Sequence, residues 1–432
     1  MNLSVIIPAL REGENLRVLL PELARVLDSL RIRYEILLVT LASDQETRAV
    51  GGLAGSRLVM QSESGFGSAL AAGFAEASGE FLLTMDADLS HLPTFIADLW
   101  QHRHDADVVI ASRYVPGGGA DMPFRRYLLS RGLNRVFSRG LGLEVRDMSS
   151  GFRLYRASVL RDRGSLPRDF DVLQTLLVRA YAEGWRVMEV PFFYGPRHHG
   201  HSHARVIRFG LAYARTFWSL WRLRNSVLCA DYDARAYDSP IPLQRYWQRM
   251  RHTHVTGLIA GEGPVADIGC GSSRIIGSLP PGSVGLDVLA RKLRYARRYD
   301  VMLVQGSALK LPFPDESFSC VLCSQVIEHV PKDSPILAEL VRILKPGGRL
   351  VLGTPDYDRW EWVVTERLYG FFAPGAYADE HIAHYTRDEL IDHFNRLGFT
   401  LEVTRYILRG ELILALRKPH ANSGSGSPRP GG

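Results

Sequence analysis

Glu80-Phe-Leu-Leu-Thr-Met-Asp-Ala-Asp88 is the stretch on which the reading of the first half turns. Residues 81–85 are apolar without alternation, the pattern of a strand buried on both faces of a sheet. Asp86 and Asp88 then fall just beyond the strand's C-terminal end, where an open α/β sheet places its ligands. Two carboxylates at i and i+2 in a turn can face one divalent cation. A hard cation such as Mg²⁺ or Mn²⁺ takes oxygen ligands and bridges protein carboxylates to substrate phosphates. A lone Asp-x-Asp in a loop is usually only solvated, so the preceding strand is what gives the metal reading its weight.

Outward from this stretch, short apolar runs alternate with amphipathic segments. Strands are expected at 3–8, 34–39, 57–61, 80–85, 107–112 and 187–192, and helices at 12–30, 65–77, 93–101, 123–139 and 172–183. This rhythm implies a doubly wound sheet covered by helices. A second series opens at Val265-Ala-Asp-Ile268, after a helix at 243–258. Its strands fall near 283–286, 302–305, 319–323 and 349–353, with an antiparallel pair at 400–407 and 411–416. The fold class expected is α/β, two doubly wound domains in tandem. The first spans 1–225 and ends in a basic helix at 204–224. A linker and leading helix (226–255), a second domain (256–418) and a flexible tail (419–432) follow.

Composition bounds the function. At 432 residues, 46% hydrophobic and 23% charged, the chain is globular and long enough for two or three domains. Its four cysteines, Cys229, Cys270, Cys320 and Cys323, are too few for a disulfide framework, and Cys320-Val-Leu-Cys323 lies in a strand-like run with no second pair. A reduced, cytoplasmic protein is expected, with no secretory leader and no run of the roughly 18–20 apolar residues that span a bilayer. The net charge of +6 is local: residues 1–225 carry +5, and residues 196–224 hold six arginines, four histidines and no acid. A phosphate or an anionic membrane is the expected partner, not a nucleic acid.

Further words flank the carboxylates: Val5-Ile-Ile-Pro8, Glu12-Gly-Glu-Asn-Leu16, Ser64-Gly-Phe-Gly-Ser-Ala69 and Gly79 through His91. Ala111-Ser-Arg-Tyr114, then Arg126, Ser130, Arg131 and Asn134, then Ser149-Ser-Gly-Phe-Arg-Leu-Tyr-Arg156, and Arg197-x-x-Gly200-x-Ser202 come after them. In this order they resemble the inverting family 2 glycosyltransferases of GT-A fold, and most of all the dolichol- or polyprenyl-phosphate mannosyltransferases. The resemblance implies that Pro8 and Glu12 line the nucleotide pocket and that Asp86 and Asp88, with Ser90 nearby, hold Mg²⁺ or Mn²⁺ on the donor diphosphate. It implies that Arg113, Arg126, Ser130 and Arg197 bind donor and acceptor phosphates, a task suited to the planar guanidinium fork. One departure stands out. Where the family usually places an Asp-Asp pair to grip base and ribose, this chain has Val39-Thr-Leu-Ala-Ser-Asp44, which leaves the donor open between GDP-mannose and a UDP-sugar. Thr175 also stands where this branch often has Glu. That favours a phosphate acceptor, which is already a dianion near neutral pH and needs no general base.

Residues 204–224, ARVIRFGLAYARTFWSLWRLR, read as one helix with Arg208, Arg215 and Arg222 on a shared face and Phe217, Trp218 and Trp221 among the rest. Arginine with tryptophan suits a helix lying in the headgroup layer, so a peripheral association with the cytoplasmic membrane surface is expected. The cluster His198-His-Gly-His-Ser-His203 reads as an acceptor-facing loop, since no carboxylate partners it.

In the second half, Val265-Ala-Asp-Ile-Gly-Cys-Gly-Ser-Ser273 is a strand followed by a glycine-rich turn. Gly285-Leu-Asp287 ends the next strand with an acid, where a ribose diol is held. Gly306-Ser-Ala-Leu-Lys-Leu-Pro-Phe-Pro314, Leu322-Cys-Ser-Gln-Val-Ile-Glu-His-Val330, Leu344-Lys-Pro-Gly-Gly348 and His381-Ile-Ala-His-Tyr-Thr386 follow. Together they resemble class I S-adenosylmethionine-dependent methyltransferases. The resemblance implies that Asp267, Gly269 and Gly271 contact the methionine end of the cofactor, Asp287 the ribose, and Ser307 and Ala308 the adenine. Gln325, Glu328 and His329 lie where some quinone-biosynthesis O-methyltransferases bind a divalent ion with two glutamates and a histidine. Gln325 argues against a metal here, and His329 is the candidate base for methyl transfer. The whole chain reads as a bifunctional transferase, glycosylating a polyprenyl phosphate and methylating an unidentified glycan, lipid or small molecule. The alternative is a methyltransferase whose first domain is a non-catalytic lipid- or glycan-binding module.

Overall fold

The computed structural model describes residues 1–161, 164–195, 206–372 and 381–420. Contacts divide the chain into two compact units, Met1–Arg224 and Asn225–Gly432.

The first unit begins with β1 (Leu3–Pro8), α1 (Gly13–Ser29), β2 (Tyr34–Leu41), α2 (Gln45–Arg48), β3 (Arg57–Gln61), α3 (Phe66–Glu76) and β4 (Phe81–Thr84). It continues with α4 (Ile96–Gln101), β5 (Val108–Ser112), β6 (Gly119–Ala120), α5 (Phe124–Gly140), β7 (Arg153–Arg156), α6 (Val172–Ala182), β8 (Val187–Pro191), β9 (Phe193–Tyr194) and α7 (Val206–Asn225). Seven strands form one sheet in the order β3-β2-β1-β4-β7-β5-β8, with β6 and β9 in a small second sheet. Along β1, Val5 and Ile7 point into the core beneath α1 and α4, while Ile6 points into the core beneath α3 and α6. That is why the strand shows no polar alternation. α1 docks through Leu16, Leu19, Leu20, Leu23 and Leu27, one apolar stripe at helical spacing. α3 docks closely because Gly73 has no Cβ; one would lie 2.4 Å from Ile6 Cγ2.

β7 is a strand that the hydrophobic pattern does not announce. It runs antiparallel between β4 and β5, with Leu83 opposite Leu154 and Val109 opposite Leu154. Arginine stands at two of its four positions. Arg153 is nevertheless fully buried, because its guanidinium donates to three carbonyls: Ser150 O at 2.7 Å, Leu173 O at 2.8 Å and Met148 O at 2.6 Å. A buried guanidinium is tolerated when its donors are satisfied.

The second unit comprises α8 (Tyr232–Tyr237), α9 (Pro242–Ile259), β10 (Val265–Ile268), β11 (Val284–Asp287), α10 (Ala290–Ala296), β12 (Met302–Gln305), β13 (Phe318–Ser324) and α11 (Ile336–Ile343). β14 (Leu344–Pro355), α12 (Trp360–Phe372), α13 (Arg387–Arg396), β15 (Thr400–Ile407) and β16 (Glu411–Arg417) complete it. Its sheet runs β12-β11-β10-β13-β14-β16-β15, parallel from β12 to β14 with β16 reversed. The segment before β10 is part of this unit's body. Val255, Leu258 and Ile259 of α9 pack into its core, and the buried Glu411 receives both Trp247 Nε1–H and a bidentate Arg251, the latter at 2.6 and 2.7 Å. No described helix is long and apolar enough to cross a membrane.

Candidate active sites

β4 delivers Met85 to a turn whose shape is set by two internal bonds. The backbone N–H of Asp86 donates to His91 Nδ1 at 2.9 Å, so the ring's proton sits on Nε2, which faces Asp86 Oδ2 at 3.7 Å. Asp88 Oδ1 accepts from Ser90 N at 3.2 Å and from the Ser90 hydroxyl. Leu89, at φ +64°, makes the tight reversal between them. His91 is itself buried, stacked on Phe152 at 4.8 Å with its edges toward Phe192 and Tyr194. Gly151 lies directly against Asp86, and a Cβ there would stand 3.3 Å from Oδ1. The turn therefore offers oxygen donors on a rigid base, with Gly151 keeping the approach clear. That donor chemistry fits a hard divalent cation.

The adjoining polar residues form a closed network. Arg113 donates to both oxygens of Asp147 at 2.7 Å and to Ser149 Oγ at 2.7 Å. Asn134 donates to Ser149 Oγ at 3.0 Å and to Ser130 O at 2.9 Å, and Tyr114 OH donates to Ser130 Oγ at 2.7 Å. Asp147 is completely buried. Burial pushes its pKa up, but the charge and hydrogen bonds of Arg113 outweigh this and hold it below the ordinary carboxylate range. Arg113 is thus paired with Asp147, a partner the sequence reading missed, and braces the Ser149–Gly151 turn. Ser130 joins the same network, and Arg126 stands exposed one turn before it on α5. Arg197 and the His198–His203 cluster lie outside the described residues.

On the nucleotide side, Pro8 ends β1 and Glu12 precedes α1, where its carboxylate accepts from Asn15 at 2.6 Å. Asp44 makes local bonds. It caps α2, accepting from Thr47 N at 3.2 Å, from Arg11 N at 2.8 Å and from the buried Thr40 hydroxyl at 3.0 Å. Burial raises its pKa and these bonds more than reverse the shift, leaving it low. Its lone pairs hold the β1–α1 loop against β2. Thr175 is buried and donates to Asp171 O at 2.9 Å, while Asp171 Oδ2 accepts from Thr216 at 2.8 Å.

In the second unit, Gly269 and Gly271 take φ +75° and +57°, and a Cβ on Gly269 would fall 2.2 Å from Val326. Asp287 at the end of β11 accepts from Gly271 N at 2.9 Å and Leu289 N at 2.7 Å, fixing the glycine-rich turn beside the next strand end. Gly306 N donates to Asp287 O at 3.1 Å and brings the loop of exposed Ser307 and half-buried Ala308 to the same edge. Asp267 is buried beneath, and desolvation plus the charge of Asp287 raises its pKa to about 7. Glycines that let a backbone approach, and acids at a strand-end edge, fit a nucleoside-bearing cation such as a sulfonium. His329 follows β13, and its ring lies 5.2 Å from that of His381. Burial raises Glu328 to about 8.

Family models match a stretch of each unit. A glycosyl transferase family 2 model matches residues 4–164, and a methyltransferase domain model matches residues 266–352. The dolichol-phosphate mannosyltransferase of Saccharomyces cerevisiae is 32% identical over 217 residues, 46% of this chain and 79% of that protein. The chain belongs to glycosyltransferase family 2. The dolichol-phosphate mannosyltransferase of Pyrococcus furiosus is 35% identical over 211 residues, and the alignment spans 47% of this chain but only 59% of that relative's length. A solved SAM-dependent methyltransferase, possible histamine N-methyltransferase, from Thermotoga maritima is similar at 25% identity and a TM-score of 0.32, over 40% of this chain and 93% of that one. The family 2 unit is GT-A-like, and the second unit is a Rossmann-like class I SAM-dependent methyltransferase domain.

One residue of the methyltransferase unit lay in the segment expected to be a linker. Asp233 of α8 reaches the glycine-rich turn: its Oδ2 accepts from Ser272 N at 3.3 Å, Ser272 Oγ at 3.0 Å and Lys292 Nζ at 2.7 Å. The polar spacing of 231–238 hid it, because an acid 39 residues upstream of Ser272 leaves no periodic signal. Charge-assisted bonds of this kind contribute roughly 1.5–3 kcal/mol. Asp233→Ala should therefore weaken adenosylmethionine binding, read by calorimetry, by about 10- to 100-fold while the unit stays folded.

Proposed function

We propose that the first unit transfers a sugar from a nucleotide-sugar, GDP-mannose or a UDP-sugar, to a polyprenyl phosphate, and that the second unit methylates a glycan, lipid or small-molecule acceptor. The observation that carries the first half is the Asp86–Asp88 turn, backed by His91 and flanked by the Arg113–Asp147–Ser149 network. Asp86 and Asp88 would hold the metal against the donor diphosphate. A bound Mg²⁺ or Mn²⁺ supplies the charge that stabilises the departing diphosphate. Gly151 leaves room beside Asp86, and Ser130 and Arg126 on α5 offer donors to an acceptor phosphate. Thr175 offers no carboxylate as a base. A phosphate dianion needs none, since its second pKa is about 6. Pro8 and Glu12 would bound the nucleotide. With Asp44 committed to its loop, the base is held by other groups than the usual acidic pair. The same commitment is what supports the alternative of a first unit that binds without catalysing.

Membrane contact moves from α7 to α5 in this reading. The C-terminal half of α7 belongs to the unit's own core: Leu220 is buried, Phe217, Trp221 and Leu223 pack beside it, and the fully buried Arg224 donates to Leu141 O and Gly142 O at 3.0 Å each. Trp218, 53% exposed, carries Arg222 over its ring. On α5, by contrast, Phe124, Leu128, Leu129, Leu133 and Val136 are exposed, Phe124 by 72%, among the exposed Arg125, Arg126, Arg131, Arg135 and Arg139 and no acid. Apolar side chains mixed with arginine suit the headgroup layer of an anionic bilayer, which would bring the acceptor phosphate to Ser130 and Arg126.

Two measurements follow. Incubated with Mg²⁺, each nucleotide-sugar and polyprenyl phosphate, the protein should form a glycolipid. Asp88→Asn should cut the rate at least a hundredfold, and an unchanged rate would remove the metal role. Each arginine near an anionic surface contributes about 1 kcal/mol. Replacing Arg131, Arg135 and Arg139 by Ala should then weaken sedimentation with anionic vesicles by about two orders of magnitude at low salt, whereas Arg215→Ala with Arg222→Ala should change it less.

A further inference from the structure

The methyltransferase unit holds a second group of ligating side chains that the cofactor edge does not use. Glu328, His329 and His381 each place one ligand atom within 4.8 Å of the others. Glu328 and His329 follow β13, and His381 comes from a segment more than fifty residues later. The loop they share touches the methyl-donor edge, because Val326 packs against Gly269. Glu328 is fully buried. Its Oε2 accepts from Thr354 Oγ1 at 3.3 Å, while Oε1 has no hydrogen-bond partner among the described residues. The main chain fixes the two segments together: Ile382 N and Ala383 N both donate to Glu328 O, at 2.8 and 3.0 Å.

The second coordination layer is built as well. His381 Nδ1 lies 2.8 Å from Glu366 Oε1 and 2.8 Å from Tyr357 OH. A ligating histidine characteristically gives its other ring N–H to a carboxylate, which fixes the tautomer and directs Nε2 outward. Three ligands, two imidazoles and one carboxylate, leave coordination positions open, as in catalytic rather than structural sites. Gln325 removes one carboxylate from this neighbourhood, and His381 supplies a third ligand that no sequence spacing could reveal.

We propose that Glu328, His329 and His381 bind a divalent transition-metal ion, and that the methyl acceptor is a hydroxyl compound whose oxygen occupies an open position on it. The proposal rests on the methyltransferase character of this unit and not on glycosyl transfer by the other. Coordination lowers the pKa of the hydroxyl. Its proton leaves to solvent, an oxygen lone pair forms the new O–CH₃ bond, and the C–S bond breaks with its electron pair going to sulfur, turning the sulfonium into a thioether.

The test uses the full chain stripped with a chelator and titrated with Co²⁺, whose visible absorption reports coordination. The His198–His203 cluster can also bind Co²⁺, so the titration is made in a background with His198, His199, His201 and His203 changed to Ala. One equivalent should still bind there and be displaced by Zn²⁺. Glu328→Gln and His381→Gln should each weaken it at least thirtyfold, and Glu366→Gln, which spares the ligands, about tenfold. Adenosylmethionine titration of each variant reports whether the unit is folded and still binds its methyl donor. Loss of the signal in the four-histidine background would overturn the proposal. So would its persistence in folded Glu328→Gln and His381→Gln.

Discussion

The hydrogen bond from the Asp86 backbone N–H to His91 Nδ1 is the contact on which the glycosyltransferase unit's site depends. By occupying Nδ1 it settles the imidazole tautomer and turns Nε2–H toward the Asp86 carboxylate. The ring can serve as a fixed backstop only because it is packed: Phe152 covers one face, and Phe192 and Tyr194 close its edges. Tyr194 in turn lies under the Arg113 guanidinium at 5.6 Å, so the acidic turn and the Arg113–Asp147 pair rest on one aromatic body. Carboxylates meant to share a cation repel each other until it arrives. Holding them in place needs support that does not relax, and a buried aromatic stack under the end of β4 provides it.

The same arrangement explains why β7 runs against its neighbours. Its antiparallel course brings Ser149–Gly151, the turn that enters it, to the C-terminal end of β4, where Thr84 Oγ1 donates to Gly151 O at 2.7 Å. A parallel strand in that position would enter from the opposite edge. The reversal carries a glycine to Asp86 and a serine to Arg113, and the three carbonyls on Arg153 anchor the strand that makes it possible. In the methyltransferase unit, all strands from β12 to β14 are parallel, and the ligand edge is assembled from successive strand ends instead.

Strands buried on both faces were legible because unbroken runs such as Val5-Ile-Ile and Phe81-Leu-Leu are too short for a buried helix and rich in β-branched or aromatic residues. The paired acids, the glycine-rich turn and Asp287 were legible because each sits at a strand end. What the sequence concealed depended on distant partners. Asp147 looks like any loop acid until Arg113 is folded onto it. Arg153 reads as polar until three carbonyls surround it. Asp44 reads as a loop acid until Arg11, Thr47 and Thr40 are seen to donate to it. Tryptophan and arginine in residues 204–224 suggested a membrane face; Leu220 and Arg224 turn inward while Trp218 stays exposed, and α5, with its weaker amphipathic pattern, carries exposed apolar side chains among its arginines. Asp233 belongs to a segment whose own pattern carries no sign of a site, and His381, although part of a recognised word, meets Glu328 and His329 only in the folded unit.

The proposed glycosyl transfer requires the Asp86–Asp88 turn to bind a nucleotide diphosphate through a divalent cation. Titrating the full chain with Mn²⁺ and following the loss of its free-ion electron paramagnetic resonance signal, with and without GDP or UDP, tests this most directly. One Mn²⁺ should bind tightly only when a nucleotide diphosphate is present, and Asp86→Asn should abolish that binding. Nucleotide binding of equal strength without the ion, or Mn²⁺ uptake unchanged in folded Asp86→Asn, would contradict it.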